Sequence, residues 1–235
     1  MPSDPPHPEF DNYADEYSEL LSDPIRDIFS GSPEFFFVRK WDVLRGYMKR
    51  IGMRPAESSW LDVGCGQGDL LRIGAGAFRS AVGCDLSAKM LESCTAAPTV
   101  LQTDPRQLPF PDSSFDLVTA VCVYHHVPDL DRLQLTREIA RVLRPAGAAA
   151  IIEHNPLNPA TQIIVARTPV DRDARLLTAR LAARLLADAG LPPEQTTYFL
   201  YFPKALYARL GTLERWLSFL PLGGQYSVFG RKSVQ

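Results

Sequence analysis

Several features that would narrow a sequence at once are missing here. Only four cysteines occur in 235 residues, Cys65, Cys84, Cys94 and Cys122, and no two are spaced Cys-x-x-Cys. Neither a disulfide framework nor a thiolate metal site is expected, and the four read as reduced, mostly buried small residues. No apolar run approaches the roughly 18 residues of a membrane-spanning helix, so no membrane partner is expected. The first residues, Met1-Pro-Ser-Asp-Pro-Pro-His-Pro, lack the basic and apolar regions of a secretory signal, which leaves the cytoplasm as the default. Charge of one sign is not in excess either. The net charge of -2 offers no basic footprint for nucleic acid. No internal repeat or second core is visible. What remains is an ordinary globular composition, at a length that suits one large α/β domain.

The chain is organised around Ser59-Trp60-Leu61-Asp62-Val63-Gly64-Cys65-Gly66-Gln67-Gly68-Asp69-Leu70-Leu71. An apolar strand ends at Asp62-Val63, three glycines follow at alternate positions, and a helix begins. Glycine suits such a turn because φ can be positive and because a ligand can approach the backbone. The dinucleotide fingerprint Gly-x-Gly-x-x-Gly is absent, and an acid, Asp62, stands two residues before the first glycine. A carboxylate repels a pyrophosphate and attracts an ammonium or sulfonium. S-adenosylmethionine (SAM) carries both of these cations and no phosphate.

These residues resemble the first motif of the class I SAM-dependent methyltransferases, and the rest of the chain extends the likeness. The segment Ala81-Val82-Gly83-Cys84-Asp85-Leu86-Ser87 reads as a second strand ending in an acid, 23 positions after Asp62. Asp85 stands where an acid accepts from both ribose hydroxyls, although Ser87 also opens a helix there. Thr99-Val100-Leu101-Gln102 reads as a third strand, with Thr103-Asp104-Pro105 after it. Leu108-Pro109-Phe110 and Phe115-Asp116 then lead into a fourth strand, to Val123. The resemblance implies that Asp62, Gly64, Gly66, Gly68, Asp85, Leu86, Asp104, Pro105 and Val121 bind the cofactor, with Asp104 on the adenine amino group. Asp116 reads as structural. The spacing of Phe10, Ala14 and Tyr17 is helical and resembles the lid helix of small-molecule methyltransferases. A helix from Phe35 to about Ile51 carries Trp41, Leu44 and Met48 on its apolar face, with Arg39, Lys40, Arg45 and Lys49 mostly on a solvated one. Of these segments, Tyr13, Tyr17 and Arg39 are carried as ligand contacts.

The fourth strand ends at Tyr124-His125-His126-Val127, and ligands of open α/β sheets bind beyond such strand ends. A neutral imidazole there can take a proton from a hydroxyl acceptor. A metal is not expected, because adjacent histidines on an extended segment point opposite ways and spaced carboxylate ligands are missing. A helix over about 130–143 stops at Arg144-Pro145-Ala146-Gly147, where the family usually has two glycines after the proline. A fifth strand ends in Glu153-His154-Asn155-Pro156-Leu157-Asn158-Pro159. This loop, with Pro169-Val170-Asp171-Arg172-Asp173-Ala174, resembles a bacterial small-molecule subgroup found in natural-product and glycan pathways. Asn155 and Asn158 have an alternative role as turn formers. A helix over 178–189, a sixth strand over 196–203, a helix over 204–219 and a seventh strand over 225–231 complete the chain.

The expected fold is thus a doubly wound α/β sheet of seven mostly parallel strands, Rossmann-like, ordered 3-2-1-4-5-7-6 by resemblance. Residues 1–9 are expected to form a disordered tail, 10–55 lid helices and 56–235 the core of a single domain. The expected activity is transfer of a methyl group from SAM to a small-molecule acceptor, most simply a hydroxyl, leaving S-adenosylhomocysteine. His125, His126 and His154 are the candidate catalytic residues. The expected assembly is a monomer or homodimer. Rival readings are a C- or N-methyltransferase, a nicotinamide-dependent oxidoreductase and a non-catalytic SAM-binding protein.

Overall fold

The structure, a computed structural model, describes residues 9–21 and 23–234. The proposed disordered tail therefore lies outside the described residues, except for Glu9, which opens a 3-10 turn, Glu9–Asn12. Seven strands form one sheet in the order β3-β2-β1-β4-β5-β7-β6. They are β1 Ser59–Val63, β2 Ser80–Asp85, β3 Thr99–Leu101, β4 Phe115–Val121, β5 Leu143–His154, β6 Pro193–Phe199 and β7 Gln225–Arg231. The first five run parallel, and β7 is antiparallel to both β5 and β6. This is the expected order and sense.

All five residues of β1 are buried, because the strand is central and both faces are covered. Side chains alternate between two layers, as the pleat requires. Leu61, Val118, Ile151 and Val228 enter one core with Ile139 of α6 (Arg132–Val142) and Leu186 of α8 (Ala179–Asp188). Trp60, Leu117, Ile152 and Phe229 enter the other, with Trp41 and Leu44 of α3 (Pro33–Arg50) and Leu71 of α4 (Asp69–Gly74). Tyr47 of α3 stacks on Phe229, with ring centroids 4.0 Å apart. In chain order α5 (Ala88–Glu92) follows β2, α7 (Pro159–Arg167) follows β5 and α9 (Lys204–Leu217) follows β6.

Before α3, the segment from Phe10 expected to open the lid with one helix is instead a series of short pieces. A second 3-10 turn spans Ala14–Glu16, followed by α1 (Tyr17–Leu20) and α2 (Pro24–Phe29). Asp23 stops and restarts the chain: its carboxylate accepts from the backbone N–H groups of Ile25 and Arg26, and Pro24 follows at the first helical position. Ala146 adopts φ +62, a conformation glycine takes more readily, so the departure from the family pattern costs about 1 kcal/mol of local strain.

Candidate active site

The carboxyl ends of β1, β2, β4 and β5, with β7 beside them, surround a cavity of about 510 Å³. That is the size of a small-molecule or cofactor pocket. Of the residues expected at the site, Tyr17, Gly64, Gly66, Asp85, Leu86, Pro105, Val121, His125, His126 and His154 line it, whereas Arg39, Asp62, Gly68 and Asp104 do not.

The glycine turn explains one half of the cavity. Gly64, Gly66 and Gly68 have φ of +64, +52 and +78. A Cβ on Gly68 would come within 2.3 Å of Cys94 Sγ, whereas one on Gly66 meets nothing within 4 Å among the described residues. So Gly66 faces the open cavity, and Gly68 is required by packing inside the protein. Asp85 accepts from the Gly66 N–H at 2.8 Å and from the Ser87 N–H at 2.9 Å. Burial raises its carboxyl, and these backbone donors pull it back only in part. Asp62 lies beneath the lining, 3% exposed. It accepts from Thr119 Oγ1 at 2.6 Å, and Trp60 Nε1 donates to the same hydroxyl. Burial pushes its carboxyl up to about 7, against the pull of Thr119 and Lys40. Asp104 is turned to its own loop, where it accepts from the Arg106 N–H at 2.8 Å.

The N-terminal segment covers this half. Ser87 Oγ donates to Asp11 at 2.5 Å and Gln67 Nε2 to the Ala14 carbonyl at 2.9 Å. Phe10 meets His126 edge-on, with centroids 4.9 Å apart. Tyr17 lines the cavity, and burial raises its phenol far above the ordinary value.

On α3 the expected basic residues are inverted. Arg39, expected as a ligand contact, does not line the cavity: it is buried against Glu214 and Asp42, and its guanidinium lies over the Tyr207 ring at 3.9 Å. Lys40, expected on a solvated face, is 5% exposed and lines the cavity. Its Nζ sits over the Phe37 ring at 4.4 Å. Arg39 and Lys40 are adjacent, 100° apart around the helix, and α9 decided which one turned to protein.

The other half is built at the end of β4. Cys122 takes φ +58 and turns the chain, so that 124–127 form a tight turn rather than the expected extended segment. The His125 and His126 rings therefore lie on one side, with centroids 4.1 Å apart, instead of pointing opposite ways. His125 is 2% exposed. Its Nδ1 shares a 2.5 Å hydrogen bond with Glu153 Oε2, and its Nε2 faces Asp171 Oδ1 at 3.4 Å. Burial alone would lower the imidazole, but the carboxylates of Glu153 and Asp171 outweigh it and lift it to about 10. His126 Nε2 faces the same Asp171 oxygen at 3.4 Å. Burial disfavours the charged Asp171, yet the two histidines hold it well below the ordinary range. Arg132 staples the turn: its Nε donates to the carbonyls of Tyr124 and Val127 at 3.0 Å each.

Asn155 and Asn158 are turn formers. Asn155 donates to the Pro221 and Gly223 carbonyls, and Asn158 accepts from the Thr161 N–H to cap α7. Four cavity residues carry no clear signal in the sequence: Lys40, Cys122, Asp171 and Gln225. Asp171 stood in the Pro-x-Asp-x-Asp-Ala stretch but had no partner until the 168–175 segment folded back, where the Arg175 N–H donates to the His125 carbonyl. Burial would raise the Cys122 thiol, but Lys40 and His154 outweigh it and bring it to about 7. All four cysteines are free.

Residues 61–151 match a family described as methyltransferase domain. The chain has the class I methyltransferase fold, and residues 61–151 carry the match to the domain. A 27-O-demethylrifamycin SV methyltransferase of Amycolatopsis mediterranei is 32% identical over 60% of this chain and 55% of its own length. A tRNA (carboxymethyluridine(34)-5-O)-methyltransferase of Schizosaccharomyces pombe is 26% identical over 58% of this chain and 57% of its own. The chain thus spans about half the length of the curated relatives it matches. A Thermotoga maritima SAM-dependent methyltransferase, described as a possible histamine N-methyltransferase, superposes with a TM-score of 0.67 at 14% identity, covering 95% of this chain and 98% of that one. Family and fold imply SAM as the cofactor of this methyltransferase domain. The residues fit it. Gly66 leaves a cradle that a side chain would enter, Asp85 lines that cradle, and Gln225 Oε1 in the cavity wall is a buried acceptor without a hydrogen-bond partner among the described residues. Among the described residues no helix is long and apolar enough to cross a membrane.

Proposed function

We propose that this chain transfers the methyl group of SAM to a hydroxyl of a small, partly apolar acceptor. The observation that carries the reading is the division of one cavity into two chemically different halves. Gly66 and Asp85 line the part at the ends of β1 and β2, and His125, His126 and Asp171 form a polar cluster at the part beyond β4. SAM supplies a methyl group made electrophilic by the sulfonium. In this reading Asp85 accepts from the ribose, the backbone at Gly66 lies along the nucleoside, and Lys40 attracts the amino-acid carboxylate. Asp62 acts through its field from beneath the wall. The aromatic segment at 10–17 excludes water, which strengthens each of these interactions.

The acceptor meets the histidine side. His125 is gripped by Glu153 and Asp171, so it serves to position Asp171 rather than to act as the free base first expected. His126 is the more exposed of the pair and, with Asp171, lines the acceptor side of the cavity. His154 borders the cluster, its ring centroid 5.3 Å from that of His125. The likeness to the rifamycin enzyme supports a hydroxyl acceptor and a place in small-molecule biosynthesis. A tRNA acceptor is the second reading, favoured by the likeness to the S. pombe enzyme. The net charge of -2 and the cover formed by residues 10–17 support the small molecule.

Calorimetric titration with SAM, S-adenosylhomocysteine and NADH tests the cofactor. Binding of the first two with Kd of about 1–100 μM is expected, weakened about tenfold or more in Asp85→Ala, a loss of at least ~1.4 kcal/mol. Binding of NADH alone would overturn the reading. Incubation with radiolabelled SAM, tRNA and a panel of phenols and macrocyclic alcohols then separates the two acceptor classes.

A further inference from the structure

We propose that His125, His126 and Asp171 form a binding site for one divalent transition-metal ion, best suited to zinc. Each contributes one donor atom to the cavity wall, and the three atoms lie within 4.8 Å of one another.

The distances favour an ion over a simple hydrogen-bonded cluster. Both imidazole Nε2 atoms lie 3.4 Å from the same Asp171 oxygen. That is longer than the roughly 2.7–2.9 Å of a charge-assisted hydrogen bond. It equals the edge of a tetrahedron whose arms are about 2.0–2.1 Å, the length of zinc bonds to histidine and carboxylate. An octahedral ion with similar arms has edges nearer about 3.0 Å. Two imidazoles and one carboxylate also suit zinc or its neighbours better than magnesium or calcium, which prefer oxygen. The support around the donors is that of a metal site. Glu153 engages His125 Nδ1 and so directs Nε2 at the cluster, the carboxylate–histidine arrangement that orients metal ligands. Glu153 is itself fixed by the Tyr124 N–H at 2.7 Å. The donor atoms of the third pair, His125 with His126, lie within the same 4.8 Å, and His126 is the partly exposed member on the cavity side.

Three protein donors leave a fourth position open to the cavity, the arrangement of catalytic rather than structural zinc. Its role rests on the methyl-transfer reading above. An acceptor hydroxyl bound at that position is acidified by the ion. The hydroxyl proton passes to water, the oxygen forms its bond to the methyl carbon, and the carbon–sulfur bond electrons return to sulfur. The ion is neither consumed nor changed in oxidation state.

The test uses the full chain, freed of metal by chelator and dialysed, and titrated with cobalt(II) as the probe. One ion per chain is expected, with visible d–d bands of tetrahedral intensity that zinc then displaces. His126→Ala and Asp171→Asn should abolish the bands. Glu153→Gln should weaken cobalt binding about 10- to 100-fold, and His154→Ala should retain it. S-adenosylhomocysteine affinity measured on the same samples reports whether each variant is folded and keeps the two readings separate. Wild-type chain that binds S-adenosylhomocysteine but gives no cobalt bands overturns the metal site and leaves the cofactor reading standing. Bands that persist in both ligand variants also overturn it, because the ion would then sit elsewhere. Chain that binds cobalt as expected but no S-adenosylhomocysteine overturns the cofactor reading alone.

Discussion

Asp62 shows how one residue can be placed correctly in a motif and still act differently from the simplest picture. It does not line the cavity, and its carboxyl is raised by burial to about 7. The unfolded chain ionises it near the ordinary value of 3.8. Between about pH 4 and pH 7 the folded state therefore holds the proton that the unfolded state has lost, and stability falls as pH rises. The full shift is worth up to about 4 kcal/mol. Asp62→Asn should accordingly raise the melting temperature above pH 7 and leave it unchanged near pH 4. Superimposable wild-type and variant curves across that range would sink the argument. The same variant should bind SAM more weakly, because the carboxylate's attraction for the cofactor's cations is gone. The acid in front of the glycines is legible in the chain, but its depth is not, since burial depends on how Thr119 and the α3 side chains close over it.

At the scale of elements, the strand–glycine–helix unit was readable because each part has a local cause. The apolar run, the three glycines and the next helix all lie within a few turns of chain. The reason for each glycine was only partly visible. Gly66→Ala keeps an open environment and pays mainly for left-handed backbone, about 1–2 kcal/mol, so it should fold and bind SAM poorly. Gly68→Ala adds the collision with Cys94 and should melt lower than Gly66→Ala while damaging the site less directly. Adding Cys94→Ala should recover part of that melting loss, and no recovery would mean that backbone strain alone is responsible. The histidine pair went the other way. Its position at a strand end was clear, whereas its turn depends on Cys122 at positive φ, a conformation that no residue-type preference announces.

Across the whole molecule, the long helix before the sheet and the last helix are joined by a buried ion pair. Arg39 on α3 reaches Glu214 on α9, and Glu214 also accepts from the Tyr201 N–H. Removing one partner leaves a buried charge exposed to apolar surroundings, which costs about 3–5 kcal/mol. Arg39→Met should thus lower the denaturation midpoint markedly without changing SAM affinity in the folded fraction, and Arg39→Met with Glu214→Gln should recover part of the loss. A selective loss of SAM affinity at unchanged stability would return Arg39 to the cavity. By contrast, Lys40→Met should weaken cofactor binding more than it weakens the fold, read by calorimetry and thermal melting side by side.

The sheet, its order and the cofactor side follow from local causes: alternating or continuous apolar runs, glycine turns, acids at strand ends and helix stops. These are written within about ten residues of where they act, and the family resemblance orders them. The acceptor side depends on contacts between distant parts of the chain. Asp171 meets histidines 45 and 46 positions earlier, Glu153 grips one of them across two strands, and Lys40 turns inward because Arg39 finds Glu214, 175 positions away. Such pairings depend on packing and charge burial in the assembled molecule, so residue type and spacing name the candidates while the tertiary fold selects among them.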